Sequence, residues 1–376
     1  MPKASNNHDI SSQFTKDDRR VHPYKLPNAT TRNLINKGPK LPIIGATSTE
    51  NLSYNVAANL EDYIVASYYD NMPPPSRRPI FDQRIGHFRP QLKKNRVNRI
   101  IVYNGCFNPP HRAHQALLNL AFSCAQDLNV IAAIVVPVGD SSIRGKHFTE
   151  EVCFTIKQRV RLWTGDGGPH DWLWVYDRGR TGWEAFREIL ERNVSRDGFP
   201  LEFINVIGPD HFEKYDGRRR IVSGCDNTII SDVGRKAGFV FAHATLTEVR
   251  GCGHWKPISS LEKIATQKAN DTASWLLSSL SFTMLGREAY NGLVEEIKLE
   301  FTSRMKRVRV CRRRGEHGGW IRFIPSDSNS AMGMSSTDIR RTLVTYPPDE
   351  LLERLRGKAL HPEILVQLMQ EKSSPT

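Results

Sequence analysis

Apolar positions in the middle of the chain follow two rhythms in turn, and their order predicts the fold. Residues 100–103, Ile-Ile-Val-Tyr, form a short β-branched and aromatic run of the kind that makes a buried strand, and Asn104-Gly105 directly after it is a dipeptide that ends strands. Ala113, Leu117, Leu118, Ala121, Cys124, Ala125 and Leu128 then recur at steps of three and four, which predicts a helix with one apolar face starting near His111. The unit repeats: strands are expected over 130–138, 172–177 and 201–207, with helices over 149–163 and 181–193 between them. Strands alternating with helices of this length specify an α/β fold, a Rossmann-like parallel sheet with helices on both faces. In such sheets ligands bind beyond the carboxyl ends of the strands, so the loops after Tyr103, Val138, Asp177 and Ile207 are expected to share one crevice.

Beyond Asp210 the alternation loosens. Short strands are expected over 228–230 and 239–241, helices over 258–268, 273–281 and 288–301, a strand over 320–324, and terminal helices over 351–356 and 362–369. Residues 1–98 are different again, rich in Asn, Ser, Pro and basic residues, with 15 Lys or Arg against 8 Asp or Glu, a surplus of +7. Only 52–69 carries enough apolar residues for a helix. The stretch predicts a mostly disordered basic N-terminal extension with one helical segment, followed by a domain over 99–376. A chain starting near Lys93 is then expected to keep the fold.

At 376 residues and 39% hydrophobic content the chain can bury a full core. Its net charge of +13 points to phosphorylated or polyanionic ligands without choosing between nucleotide and nucleic acid. Residues 130–138 are the longest apolar run, far short of the ~20 residues of a membrane span. With no apolar segment after Met1 and six cysteines (106, 124, 153, 225, 252, 311) lacking paired spacing, the expectation is a cytoplasmic or nuclear protein with reduced thiols and no membrane partner. Cys252-Gly-His254 supplies one close pair of metal ligands where a closed zinc site needs four, so no metal site is expected.

The strand, loop and helix around 99–114 aim backbone N–H groups and a helix N-terminus at one point, a seat for phosphate. His111 and His114, three apart in the first turn, lie on one face and can both address an anion there; alone, such a pair also suits a helix surface or half of a metal site. Ser335, Ser336 and Thr337 precede a second apolar helix pattern, where hydroxyls and N–H groups can bind phosphate, with Arg340 one turn on; they are equally ordinary N-caps.

Gly105, Phe107, Pro109, His111 and His114 resemble the G-x-F-x-P-x-H-x-G-H signature of the nucleotidylyltransferase superfamily, and residues 334–340, MSSTDIR, resemble its second signature I-S-S-T-x-I-R. The resemblance is nearest to the nicotinamide mononucleotide adenylyltransferases and covers about 99–245 and 318–370. It implies transfer of AMP from ATP, with Mg²⁺, to a phosphorylated small-molecule acceptor, nicotinamide mononucleotide, with release of pyrophosphate. His111, His114 and Arg340 are then catalytic. Gly105, Cys106, Phe107, Gly208, Asp210, Ser335, Ser336 and Thr337 bind the nucleotide; Lys146, Arg159 and Trp183 bind the acceptor. The family crosses from its Asp loop to its last signature with less helix, so residues about 250–303 are expected to be a helical insertion. Two departures bear on activity: Ala113 replaces the Gly of H-x-G-H, and Cys106 stands where a hydroxyl donor is usual. A cytidylyltransferase or pantetheine-phosphate adenylyltransferase specificity stays open. So does a non-catalytic nucleotide- or RNA-binding member of the fold, for which the seven basic residues within 304–314 speak. An edge strand studded with charge also prevents sheet-to-sheet association, so nucleic acid is a partner not favoured. Oligomeric state is not legible.

Overall fold

The structure is a computed structural model that describes residues 57–69, 79–82, 89–144, 150–167, 170–214, 225–241, 245–279, 287–314, 318–326 and 333–373. Residues 1–56, most of the Pro-rich stretch 72–79 and Lys146 lie outside the described residues. In chain order the elements are β1 (Ala57–Asn59), α1 (Leu60–Tyr68), β2 (Gln91–Lys93), β3 (Asn98–Gly105), α2 (Arg112–Ser123), β4 (Val130–Pro137), α3 (Asp140–Arg144), α4 (Ile156–Thr164), β5 (Leu173–Val175), α5 (Gly179–Arg196), β6 (Leu201–Ile207), α6 (Pro209–Lys214), β7 (Asn227–Ser231), β8 (Lys256–Pro257), α7 (Leu261–Ser279), α8 (Arg287–Met305), β9 (Arg309–Arg312), β10 (Trp320–Ile324), α9 (Ser336–Thr345), α10 (Pro348–Leu355) and α11 (Pro362–Ser373).

Among the described residues the main sheet runs β5-β4-β3-β6-β7-β10-β9-β8. Its first six strands are parallel, and β9 and β8 close one edge antiparallel. Counting the parallel strands by sequence, the order is 3-2-1-4-5-6, the doubly wound arrangement of Rossmann-like folds. The parallel pattern follows from the fully buried run of β4 and from β3, whose successive residues feed opposite faces. Ile101 and Tyr103 pack with Leu117, Leu118, Ala121 and Phe122 of α2. Ile100 and Val102 pack on the other face with Trp183, Phe186, Leu190 and Val194 of α5. Among the described residues no helix is long and apolar enough to cross a membrane.

Three expectations change in detail. The helix expected over 149–163 is a short 3₁₀ turn, Glu150–Val152, followed by α4 behind a Thr155 capping box. The helices expected over 258–268 and 273–281 are one, α7, because Ala269-Asn270-Asp271-Thr272 contains no Gly or Pro to break it and Ala269 and Ala273 pack on Val294 of α8. Residues 239–241 form a turn with a single bridge from Val240 to Leu246, too short to be a strand. Within 250–303 the described residues include the two helices α7 and α8, the second ending at Met305, which pack on each other through Ala269, Ala273 and Val294.

Packing also begins well before residue 99. Leu60, Ile64 and Tyr68 of α1, with Ile80, Phe81 and Leu92, belong to the cluster that covers the α5 face of the sheet, and Leu60, Ile64 and Leu92 are fully buried. The apolar positions of 60–68 are spaced for a helix, but nothing in their composition announces that they cover a sheet. Removing such side chains costs about 2–5 kcal/mol each. A chain starting at Lys93 is therefore expected to lose cooperative unfolding, against the expectation from sequence, whereas one starting near residue 53 keeps it. Urea denaturation of the two truncations checks this; equal midpoints would count against the packing role of α1.

Candidate functional site

The carboxyl ends of β3, β4, β5, β6 and β7 lie along one edge of the parallel sheet, and the expected site residues gather beyond it. His111 is the N-cap residue of α2, with extended backbone (φ −143°, ψ 169°), and its ring stacks on that of His114 at 3.6 Å between centroids and 22° between planes. The His111 backbone N–H donates to Nδ1 of His114 (3.2 Å), so a neutral His114 carries its proton on Nε2. The loop is held from the opposite side by the turn between α10 and α11, where Arg112 N–H donates to the Lys358 carbonyl (2.9 Å) and His111 forms a bridge with Ala359. Ala113 is buried on α2 at 5% exposure, so the extra methyl of the H-x-A-H form is accommodated in packing.

Phe107 departs from its expected role. Its ring is 3% exposed and meets Tyr103, His114 and Trp163 edge-on at 5.0 to 5.1 Å, so it braces the His114 imidazole from behind and does not face a nucleotide. Phe107 holds φ at +49°, an uncommon value for a non-glycine residue. Gly105 makes room for it: a Cβ there would stand 2.6 Å from the Phe107 ring. Cys106 is half-buried beside this loop, and its carbonyl accepts from Arg159.

The second motif docks on the first. Ser335 caps α9, accepting from Asp338 N–H (3.1 Å) and donating to the Asp338 carboxylate (2.6 Å). Ser336 Oγ donates to the Pro109 carbonyl (2.8 Å), and Arg340 donates to the Asn108 carbonyl (2.5 Å) and to Thr337 Oγ1 (3.0 Å). The three hydroxyls expected to bind phosphate are thus engaged in building the helix start and fastening it to the histidine loop.

Two of the expected acceptor residues are structural. Arg159 is fully buried and donates to the carbonyls of Phe154 (3.0 Å), Cys106 (2.8 Å) and Val138 (2.7 Å) and to Asp140 (2.8 Å). Its fork ties three loops together, with four of its five N–H groups engaged inside the protein and the side chain shut away from an acceptor phosphate. Trp183 is fully buried on the far face of the sheet against Tyr176, Phe186 and Phe203, so it stacks on no acceptor ring. Lys146, the third, lies outside the described residues.

Asp210, after Gly208, is half exposed at the start of α6, 4.0 Å from His211 and 3.7 Å from Arg235. A Cβ at Gly208 would come within 2.9 Å of its carboxylate. The charge of His211 acts on His114, which brings a third imidazole to the crevice. His211 was legible as the neighbour of the G-x-D loop; Arg235, from the loop after β7, had no signal in the sequence. Asn108 was also missed: its amide takes both partners from the next loop, donating to Val152 O (2.9 Å) and accepting from Phe154 N–H (3.0 Å), and so sets the distance between the two loops.

Burial lowers the His111 imidazole to about 4, and burial followed by the charges of His111 and His211 lowers His114 well below its ordinary 6.5. Both are neutral in the folded protein near pH 7. An unfolded chain protonates them below about pH 6.5, while folded His111 waits until about 4 and folded His114 until well below 6.5, so the unfolded state binds more protons below 6.5 and stability falls as pH falls. The slope is at most about 1.4 kcal/mol per pH unit for each histidine. Urea midpoints between pH 7.5 and 5 are expected to drop less for His111→Gln than for the parent; parallel slopes would mean that His111 is protonated in the folded state.

No protein-family model matches the chain, and no curated protein matches it in sequence. Among solved structures it is similar to Plasmodium falciparum nicotinic acid mononucleotide adenylyltransferase complexed with APC, at 11% identity and TM-score 0.35 over 73% of this chain and 95% of that one. The same enzyme complexed with NaAD gives 12% identity and TM-score 0.36 over 73% and 96%. NadR protein in complex with NR gives 12% and 0.20 over 74% and 78%. At such values function has to be derived from the site itself.

Proposed function

We propose that the chain is a nucleotidylyltransferase that moves the adenylyl group of ATP onto the phosphate of nicotinamide mononucleotide and releases pyrophosphate. One observation carries this reading: two stacked imidazoles at the end of the central strand share their loop with the start of α9, fastened by Ser336 and Arg340. Both signatures of the family resemblance thereby meet at one anion-binding point, which nothing in their 220-residue separation along the chain requires.

The acceptor phosphate is already an anion and attacks the α-phosphorus directly, so the protein supplies alignment and positive charge where negative charge builds up. His114, with Nδ1 occupied by the His111 N–H, presents Nε2–H as a donor to an α-phosphate oxygen, and His111 lies against it. A polyphosphate beside His111 favours its protonated form, while His114, whose Nδ1 accepts from the His111 N–H, donates from Nε2 as the neutral imidazole. Arg340 and the N–H groups at the start of α9 hold the β and γ phosphates. Among the described residues no three His, Cys, Asp or Glu side chains converge. A Mg²⁺ would then be held by the triphosphate and water, not by a dedicated cage of protein side chains. Bound there, the ion would neutralise charge on the leaving pyrophosphate.

With Arg159 and Trp183 committed to structure, acceptor choice passes to the crevice residues Asp210, His211 and Arg235. Incubating the protein with ATP or CTP and a panel of nicotinamide mononucleotide, nicotinic acid mononucleotide and phosphopantetheine, and measuring pyrophosphate, tests the assignment. The largest release is expected with ATP and nicotinamide mononucleotide. Release with CTP alone would move the protein to a cytidylyltransferase, and nucleotide binding without release in any arm would leave the non-catalytic reading.

A further inference from the structure

The basic stretch that reads from sequence as an edge strand is not at the edge. β9 pairs with β10 on one side and is covered on the other by β8 and by residues 251–253. There Cys252 stands opposite Arg313, Gly253 N–H donates to Arg312 O (2.8 Å) and Arg314 N–H donates to Gly251 O (2.8 Å). The outer strand β8 has two residues, and Pro257 has no N–H to offer a further strand. A short strand with a proline already blunts the edge, so the charge on β9 is not needed to prevent sheet-to-sheet association.

Residues 304–314 hold seven basic side chains and no acidic one. Arg304 pairs with Glu300, Arg313 donates to Thr228 Oγ1 (3.0 Å) and Arg307 donates to Ser326 O (3.2 Å). The other four make no ion pair among the described residues: Lys306, Arg312 and Arg314 are exposed and Arg309 is half-buried. Arg309 donates to the carbonyls of Lys306 (2.7 Å) and Val308 (3.0 Å), which ties it to the end of α8. Lys256, exposed on β8, stands opposite Val310 and so projects to the same face as Arg312 and Arg314. Alternate positions on a strand lie about 7 Å apart. A cation at a helix C-terminus answers the dipole, which accounts for Lys306 but not for Arg312 and Arg314, out in the sheet.

We propose that Lys256, Lys306, Arg309, Arg312 and Arg314 form a docking row for a single-stranded nucleic acid, held through its phosphates without regard to base. The row is single, as one phosphate backbone is, whereas a duplex presents two. Within it Val308 and Cys311 are buried and Val310 is half-buried, so it offers no exposed apolar side chain to anchor a folded protein. What it offers is charge, and each phosphate neutralised there releases counterions. β9 lies four strand spacings from β3, about 19 Å, so the row stands apart from the histidine pair and does not rest on the transferase reading.

The test is binding of a fluorescent oligouridylate of about 12 nucleotides to the full chain, followed by anisotropy from about 50 to 200 mM salt. Basic residues within 1–98 contribute equally to parent and variants, so the difference in slope is the reading. At about 0.7 per single-strand contact, replacing three contacts by Lys306→Gln, Arg312→Gln and Arg314→Gln is expected to flatten log affinity against log salt by about 2. The parent then loses about 20-fold more affinity than the triple variant across that range. Arg312→Lys with Arg314→Lys is expected to keep the parental slope, because counterion release follows charge. Oligothymidylate is expected to bind as the RNA does. Equal slopes for the parent and the triple variant would overturn the proposal, as would tighter binding of a duplex or of polyglutamate of equal charge.

Discussion

His114→Ala is expected to lower turnover by about 10²-fold or more while nucleotide still binds. In the proposed reaction the Nε2–H of His114 is aimed at charge that exists in full only in the transition state, so its loss would fall on kcat and little on ground-state affinity. Some stability goes too, about 1 kcal/mol, because the His111 N–H loses its acceptor at His114 Nδ1. His114→Asn separates the two effects, since the Asn carbonyl oxygen takes over that acceptor role and lacks a donor at the distance of Nε2. Steady-state rates beside urea midpoints are the measurement. A His114→Asn protein with parental turnover would end the assignment of this residue as the α-phosphate donor.

Asp127→Ala is expected to destabilise the fold by about 3–5 kcal/mol, the largest effect away from the site. Arg322 on β10 and Asp127 after α2 form a two-pronged pair with both N···O distances 2.7 Å and both side chains 4% exposed, and Arg322 also donates to the Cys124 carbonyl. Removing the carboxylate leaves a guanidinium buried at the junction of the last parallel strand and the helix that carries the histidines. Replacing both partners by apolar residues, Asp127→Leu with Arg322→Met, is expected to recover most of the loss, because the cost lies in the stranded charge more than in the missing pair. Urea unfolding of the single and double variants measures this; a single variant within about 1 kcal/mol of the parent would mean that water reaches Arg322.

The alternation of strand and helix rhythms over 99–207 was enough to place four strands with three helices between them and a parallel sheet, though not the strand order, since each strand buried on both faces reads as an unbroken apolar run. His111 and His114 were legible for the same reason, being at fixed offsets from a strand end and a helix start. Arg159 and Trp183 were not. A basic residue and an indole look alike in sequence whether they meet a ligand or a core, and only the third dimension puts three carbonyls around Arg159 and three aromatic rings around Trp183. The covering role of Leu60, Ile64 and Ile80 was hidden because the residues that bury them, Leu190 and Val194, lie over a hundred positions away in α5. The docking of Ser336 on Pro109 was out of reach for the same reason, being a contact between residues 227 apart.

The central claim is that this site breaks the bond between the α and β phosphates of a nucleoside triphosphate and keeps the α-phosphorus. Supplying ATP labelled at the α-phosphorus together with nicotinamide mononucleotide, and separating the products, tests it most directly. The account predicts that label enters a dinucleotide in proportion to pyrophosphate released, and that His114→Ala abolishes both together. Label found only in AMP or ADP, or a dinucleotide formed equally well by His114→Ala, would contradict it.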